Sequence, residues 1–175
     1  AENDKRVLFI DADMRNSVLT KRTGIPADLK GLSHYLAGKN AASEVIYATN
    51  YKNFYVIPTG RFPKNPTELL NKPAYEVLIE GMKQTFDYVI IDTPPLGSVI
   101  DSAVIADECD GSIIVLESGV ISYRFAQDVK GQLEKCNCPI LGVILNKVDM
   151  SKQGYYGKYY GKYYGKYGDK KTEKK

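Results

Sequence analysis

An apolar run, Val7-Leu8-Phe9-Ile10, stops at two carboxylates, Asp11 and Asp13, and Arg15 follows two positions later. A second run, Tyr88-Val89-Ile90-Ile91, stops at Asp92 and leads into Thr93-Pro94-Pro95. Such runs fit buried strands, and side chains two apart on a strand share a face. Asp11 and Asp13 can therefore point the same way where the first strand ends. In open parallel α/β sheets, ligands bind just beyond the carboxyl ends of the strands. Carboxylates placed there suit Mg²⁺, which takes one or two of them and fills its shell with phosphate oxygens and water. A nucleotide held through Mg²⁺ is the chemistry to which this pattern points. A single strand-end aspartate can equally be a turn or helix-cap residue. Two matching strand ends weigh against that plainer reading.

The elements that must position these residues alternate along the chain. The pattern predicts strands over residues 7–10, 54–57, 88–91, 112–116 and 140–145, the last leading into Asn146 and Lys147. Helices are expected over 32–36, ended by Gly38, and over 43–47, 74–85, 101–108 and 123–135. Residues 16–31 hold Gly24, Pro26 and Gly31 and read mostly as loop with one helical turn. Another helix is expected to start at Pro66, with Asn65 as its N-cap and Glu68 completing a capping box. In the 74–85 helix, Val77, Leu78 and Met82 recur near the helical period and predict its buried face. Five apolar strands interleaved with helices predict an α/β fold, a mostly parallel sheet covered by helices on both faces. Right-handed crossovers would bring the strand ends carrying Asp11, Asp92 and Asn146 to one edge.

Bulk properties exclude several classes. The 175 residues are 43% hydrophobic and 26% charged, which suits one soluble domain with a proper core. No apolar run approaches the roughly 20 residues of a membrane span, and the start has no signal-peptide pattern. The three cysteines, Cys109, Cys136 and Cys138, are odd in number and lack the Cys-x-x-Cys spacing of zinc or redox sites. They read as reduced thiols of a cytosolic protein. The single histidine, His34, lies in an apolar stretch and reads as packing, since one histidine makes neither a triad nor a zinc site.

Charge divides the chain in two. From Ser151 onward eight lysines face only Asp169 and Glu173, a charge of +6, so the first 150 residues carry −3. A mildly acidic body argues against a nucleic-acid-binding domain. The tail repeats Tyr-Tyr-Gly-Lys three times and holds seven of the fourteen tyrosines. It has no aliphatic residue with which to build a core, so residues 151–175 are expected to be a disordered tail on a 1–150 domain.

Phe9-Ile10-Asp11-Ala12-Asp13-Met14-Arg15 resembles the Walker A′ motif of bacterial tyrosine kinases, the BY-kinases of capsular and exopolysaccharide export. Val89-Ile90-Ile91-Asp92-Thr93-Pro94-Pro95 resembles their Walker B motif, and Pro58-Thr59-Gly60 with Asn65-Pro66-Thr67-Glu68-Leu69-Leu70 resembles a segment typical of them. The tyrosine tail is similar to their autophosphorylation target. The resemblance implies a P-loop NTPase-like fold and an ATP- and Mg²⁺-dependent protein-tyrosine kinase. It implies that Asp11 and Asp92 hold Mg²⁺ and that Asp13 lies near the γ-phosphate and the phenol, as base or metal-shell residue. Asn146 would contact adenine, and Arg15 would order the phosphate side. The acceptors would be Tyr155, Tyr156, Tyr159, Tyr160, Tyr163, Tyr164 and Tyr167. It further implies a membrane-embedded activator or polysaccharide co-polymerase, a cognate tyrosine phosphatase, homo-oligomerisation, and a cytoplasmic place at the inner face of the membrane.

One departure stands out. The Walker A loop of that family, a glycine-rich turn ending in Gly-Lys-Ser/Thr, has no counterpart here: Gly38-Lys39 is followed by Asn40. The chain therefore reads as a kinase fragment without its first part, expected to bind ATP weakly or not at all by itself. Two alternatives remain at this stage. A non-kinase ATPase switch of the partitioning type explains Asp11, Asp92 and Asn146 but leaves the tail unexplained. A tail-mediated polyanion-binding module would use tyrosine stacking and lysine charge.

Overall fold

The computed structural model describes residues 1, 3–24, 26, 28–96, 100–136 and 138–149. The tail, with all seven expected acceptor tyrosines, lies outside the described residues. The elements in order are β1 (Val7–Asp11), α1 (Leu19–Thr23), α2 (Leu32–Leu36), a 3₁₀ turn (Ala42–Glu44), β2 (Tyr47–Ala48), β3 (Phe54–Ile57) and α3 (Pro66–Leu70). Then come α4 (Pro73–Thr85), β4 (Tyr88–Asp92), α5 (Asp101–Ala106), β5 (Ser112–Glu117), α6 (Tyr123–Leu133) and β6 (Ile140–Asn146).

β1 is the central strand of a four-stranded sheet in the order β2-β3-β1-β4. It runs parallel to β3 and β4, while the short β2 is antiparallel to β3. β5 and β6 form a separate parallel pair. The ladder next to β1 explains the core. Leu8 and Ile10 are wholly buried, as is Ile57 on β3, and they meet Tyr75, Leu78, Ile79 and Met82 of α4. A smaller core joins Ile114 on β5 to Val129 and Leu133 of α6.

Several expectations are corrected. The helix expected at 43–47 is a 3₁₀ turn, because Tyr47 leaves to pair with Val56. Val77 is exposed, and the buried stripe of α4 is Tyr75, Leu78, Ile79 and Met82. Asn65 does sit at the N-cap of α3 with Pro66 behind it, but its side chain caps no amide. It donates instead to Glu68 Oε2, 3.1 Å away.

One face of the later strands carries no helix among the described residues. Tyr88 and Ile90 of β4 and Ile113 and Val115 of β5 are more than half exposed, and Ile144 of β6, the register partner of Val115, is half exposed. Apolar residues on parallel strands are ordinarily covered on both faces. β4 and β5 also share no ladder, so each presents an unpaired edge among the described residues.

Candidate metal and phosphate site

The two strand ends meet as register partners, Asp11 opposite Asp92. The Ala12 N–H donates to the Asp92 carbonyl at 2.8 Å and closes the strands just past the carboxylates. The apolar residues behind each aspartate do this: they bury β1 and hold β4 in register, so the chain must turn where the carboxylates begin. Paired residues on adjacent strands project from the same face. Asp11 and Asp92 are therefore aimed at one place.

Their environments differ. Asp11 is wholly buried. Its Oδ2 accepts from the Ser17 hydroxyl, its backbone carbonyl accepts from Thr59 Oγ1 at 3.0 Å, and its Oδ1 has no partner. Burial pushes its carboxyl above the usual range, only partly offset by the Ser17 hydroxyl. Asp92 stands at the exposed lip. Partial burial, and then repulsion from Asp11 and Asp13, raise its carboxyl too. Two carboxylates that resist ionisation side by side are what a divalent cation relieves.

The residues fit Mg²⁺ on that ground. A buried carboxylate oxygen without a hydrogen bond is costly in a protein alone and becomes a ligand when a cation is present. Among the described residues no three His, Cys, Asp or Glu side chains converge on one point. Mg²⁺ needs no all-protein cage, since its shell is largely phosphate and water.

Asp13 is half-buried, and its Oδ1 accepts from the amides of Arg15 at 3.1 Å and Asn16 at 2.9 Å. That turn fixes the carboxylate at the head of the loop. Arg15 reaches α5: Nε donates to Asp101 Oδ2 at 2.7 Å and Nη2 to Asp101 Oδ1 at 3.1 Å. Nη2 also donates to Thr67 Oγ1 at 3.1 Å. Asn146 ends β6 opposite Glu117, and its Oδ1 accepts from the Lys147 amide at 2.9 Å. It lies in the other sheet, and no hydrogen bond joins it to the three aspartates among the described residues. The structure thus sets Asp11 opposite Asp92, with Asp13 two residues on in the loop after β1, and places Asn146 at the end of a strand in the other sheet.

Sequence reasoning missed Ser17, Thr59, Thr67 and Asp101. Ser17 touches Asp11 with no spacing that marks it, while Thr59, which also touches Asp11, and Thr67 lie in the two segments singled out above without a role being read for them. Asp101 carried one signal, an acidic residue in the first turn of a helix. Nothing in the chain announced that its partner lies 86 residues away. His34 packs as expected: its Nδ1 accepts from the Gly31 amide, and burial followed by the charge of Arg61 lowers its pKa. The three cysteines are free thiols. Among the described residues no helix is long and apolar enough to cross a membrane.

Comparison with known proteins bears on the family and the fold. Residues 1–136 match a family described as AAA domain. The chain is 42% identical over 158 residues to the tyrosine-protein kinase CpsD of Streptococcus agalactiae, covering 87% of this chain and 69% of that protein. Two further strain versions of that kinase are matched over 65% of their length, so the chain spans about two thirds of these curated relatives. The kinase domain of Escherichia coli tyrosine kinase ETK superposes with a TM-score of 0.81 at 34% identity, over 88% of this chain and 60% of that one. The septum site-determining protein MinD from Pyrococcus horikoshii, solved with Mg-ADP, shares the fold at a TM-score of 0.71 and 24% identity, over 86% of this chain and 61% of that one. With strand-end carboxylates in register, a mostly parallel α/β sheet and this degree of identity, the chain belongs to the bacterial tyrosine kinases, the BY-kinase family of AAA-type nucleotide-binding proteins.

Proposed function

We propose that the chain is the metal- and acceptor-bearing part of an ATP-dependent protein-tyrosine kinase that phosphorylates the tyrosines of its own tail. The observation that carries the reading is the Asp11–Asp92 pair, with the buried, unpartnered Oδ1 of Asp11 at its centre. Asp11 and Asp92 would hold Mg²⁺, which when bound neutralises charge on the transferring phosphoryl group. Asp13, whose Oδ1 is held by two amides, would take the phenolic proton as the tyrosine oxygen attacks the γ-phosphorus. The bond from that phosphorus to the bridging oxygen breaks, and ADP leaves. A free phenol ionises only near pH ~10, so a carboxylate base has work to do at neutral pH. Asn146 is assigned to adenine and Arg15 to ordering the phosphate side.

The phosphate-cradling strand, glycine-rich loop and helix would come from the part of the protein outside these residues. The unpaired edges of β4 and β5 and the bare apolar face beside them support this assignment, for a strand followed by a helix would fill both. The acceptors are Tyr155, Tyr156, Tyr159, Tyr160, Tyr163, Tyr164 and Tyr167. Each phosphate adds about −1.5 to −2 charges, so four would bring the +6 tail to zero or below. That reversal would release oligomers held by tails docked in neighbouring sites. In the whole protein the cycle would regulate capsular or exopolysaccharide polymerisation and export, together with a membrane-embedded activator and a tyrosine phosphatase.

The test is phosphotyrosine mapping by mass spectrometry. The chain as it stands, and a version extended upstream through a phosphate loop, are incubated with Mg·ATP. Tail phosphate only in the extended version is the expected result. None in either, with a membrane activator supplied, would leave a nucleotide switch of the MinD fold as the better description.

A further inference from the structure

A buried carboxylate that the proposed chemistry does not use lies behind Arg15. Asp101 opens α5 and is wholly buried. Arg15 reaches it with two nitrogens, and the Thr67 hydroxyl donates to Asp101 Oδ1 at 2.6 Å. Since Arg15 Nη2 also donates to Thr67, the three side chains form a closed ring. The ring joins three segments far apart in sequence: the loop after β1, the first turn of α3, and the start of α5. The Arg15 guanidinium holds the Asp101 carboxyl below the usual carboxylate range.

The placement of the ring suggests its use. Asp13 is oriented by the backbone amide of Arg15, the same residue whose side chain the ring holds. The loops leaving β1 and β4 are joined at their base by Ala12 and the Asp92 carbonyl. The ring joins them a second time, because α5 is the helix that follows β4. Two ties, one at the strand ends and one at Arg15–Asp101, fix the spacing of Asp11 and Asp13 against Asp92. Only the Asp101 end of the pair is buried, and Arg15 stays open to water; burying a carboxylate is a poor source of stability compared with apolar packing, and the best-attested use of such a pair is to select one arrangement.

We propose that Asp101 and Thr67 are positioning residues, holding Arg15 so that the Asp13 loop stands at one fixed distance from Asp92. The proposal rests on the reading of Asp13 as the group that takes the phenolic proton.

The mild probe is Thr67→Val, which removes the bridging hydroxyl without leaving a charge unpaired. In the 175-residue chain, hydrogen exchange followed by NMR should show the Arg15 and Asn16 amides exchanging at least ten times faster, with α4 and β1 amides unchanged. In the upstream-extended chain, phosphorylation at saturating Mg·ATP should fall about tenfold, KM for Mg·ATP should stay within twofold, and the acid limb of the pH–rate profile should move. Thr67→Ser should restore all three. Asp101→Asn should act in the same direction more strongly, and Thr67→Val keeps the proposal testable should Asp101→Asn not fold. A lowered melting temperature with an unchanged rate and pH profile in Thr67→Val would overturn the proposal and leave the ring a simple fastening. If Asp13→Asn keeps the full rate while Thr67→Val loses it, the assignment of Asp13 fails, and the positioning proposal fails with it. If Asp13→Asn is inactive and both ring variants are normal, only the positioning proposal fails.

Discussion

At the scale of single residues, Asp11 and Asp101 are buried carboxylates with opposite consequences for stability. Asp11 has a raised pKa and Asp101 a lowered one. A raised carboxyl favours the folded state when protonated, so its contribution is fully present below the unfolded pKa of about 3.9 and is lost as pH rises through the folded value. A lowered carboxyl contributes above about 3.9, and that contribution is lost as pH falls through its folded value. Asp92 behaves like Asp11, and Asp87, held down by the Arg6 amide and Lys5, behaves like Asp101. In metal-free buffer the melting temperature should therefore rise as pH is lowered from neutrality toward 4 and then fall. Asp11→Asn should flatten the rise and stabilise the metal-free chain at pH 7 by about 1 kcal/mol, the lower end of the cost of an unsatisfied buried polar group. Millimolar Mg²⁺ should raise the melting temperature of the native chain at pH 7 and leave Asp11→Asn unmoved. A thermal melt across pH with and without Mg²⁺ reads all of this. An unchanged response to Mg²⁺ in Asp11→Asn would remove Asp11 from the metal site.

Secondary-structure elements show how far local sequence carries. The strand over residues 54–57 and the helix over 32–36 were legible to the residue because each is a short apolar block between breakers: Gly31 and Gly38 around the helix, Asn53 and Pro58 around the strand. Tyr47 was not, because its strand exists only through pairing with Val56, a tertiary fact. Val77 fits the helical period, yet the stripe is set by where β1 lies, and Tyr75 and Ile79 take the contact. The carboxylate pair was legible as two strand ends; the Asp101 ring was not, because a hydrogen bond across 86 residues leaves no local pattern. Two elements offer direct checks. Gly31 begins α2 against the Pro58-Thr59-Gly60 turn, and an added Cβ would stand 2.0 Å from the Pro58 carbonyl oxygen. Its backbone is extended, so the objection is contact and not torsion. Gly31→Ala should cost about 3 kcal/mol in urea unfolding, the upper range for overpacking. At α6, Ser122 Oγ accepts from the Phe125 amide at 3.2 Å. Ser122→Ala should cost about 1 kcal/mol, with no effect on Mg²⁺ response, since α6 belongs to the other sheet.

The whole molecule is organised around a seam between β4 and β5. On one side the core is dense: β1 is buried on both faces, and α4 lies across it. On the other side β5 and β6 pair only with each other and pack one face on α6. Their other face, like one face of β4, shows apolar residues to water: Tyr88 and Ile90 on β4, Ile113 and Val115 on β5, and Ile144 on β6. Unpaired apolar edges invite association with other chains, and patches beyond a few hundred Å² mark an interaction surface. A strand running parallel between β4 and β5 would supply both missing ladders. A helix following it would cover the bare face and start at the edge where β1 and β4 end, its N-terminus facing phosphate beside Asp11 and Asp92. The 175-residue chain should therefore bind a hydrophobic dye strongly and self-associate at micromolar concentration, while the chain extended upstream through the phosphate loop should do neither. Changing Ile113, Val115 and Ile144 together to Thr should suppress dye binding by the short chain with little loss of its own stability, since those side chains are half or more exposed. In the extended chain the same triple change should lower the melting temperature clearly, because there the three residues would face the added helix. Equal effects of the triple change in both chains would mean that the added segment packs elsewhere and that the seam is not its seat.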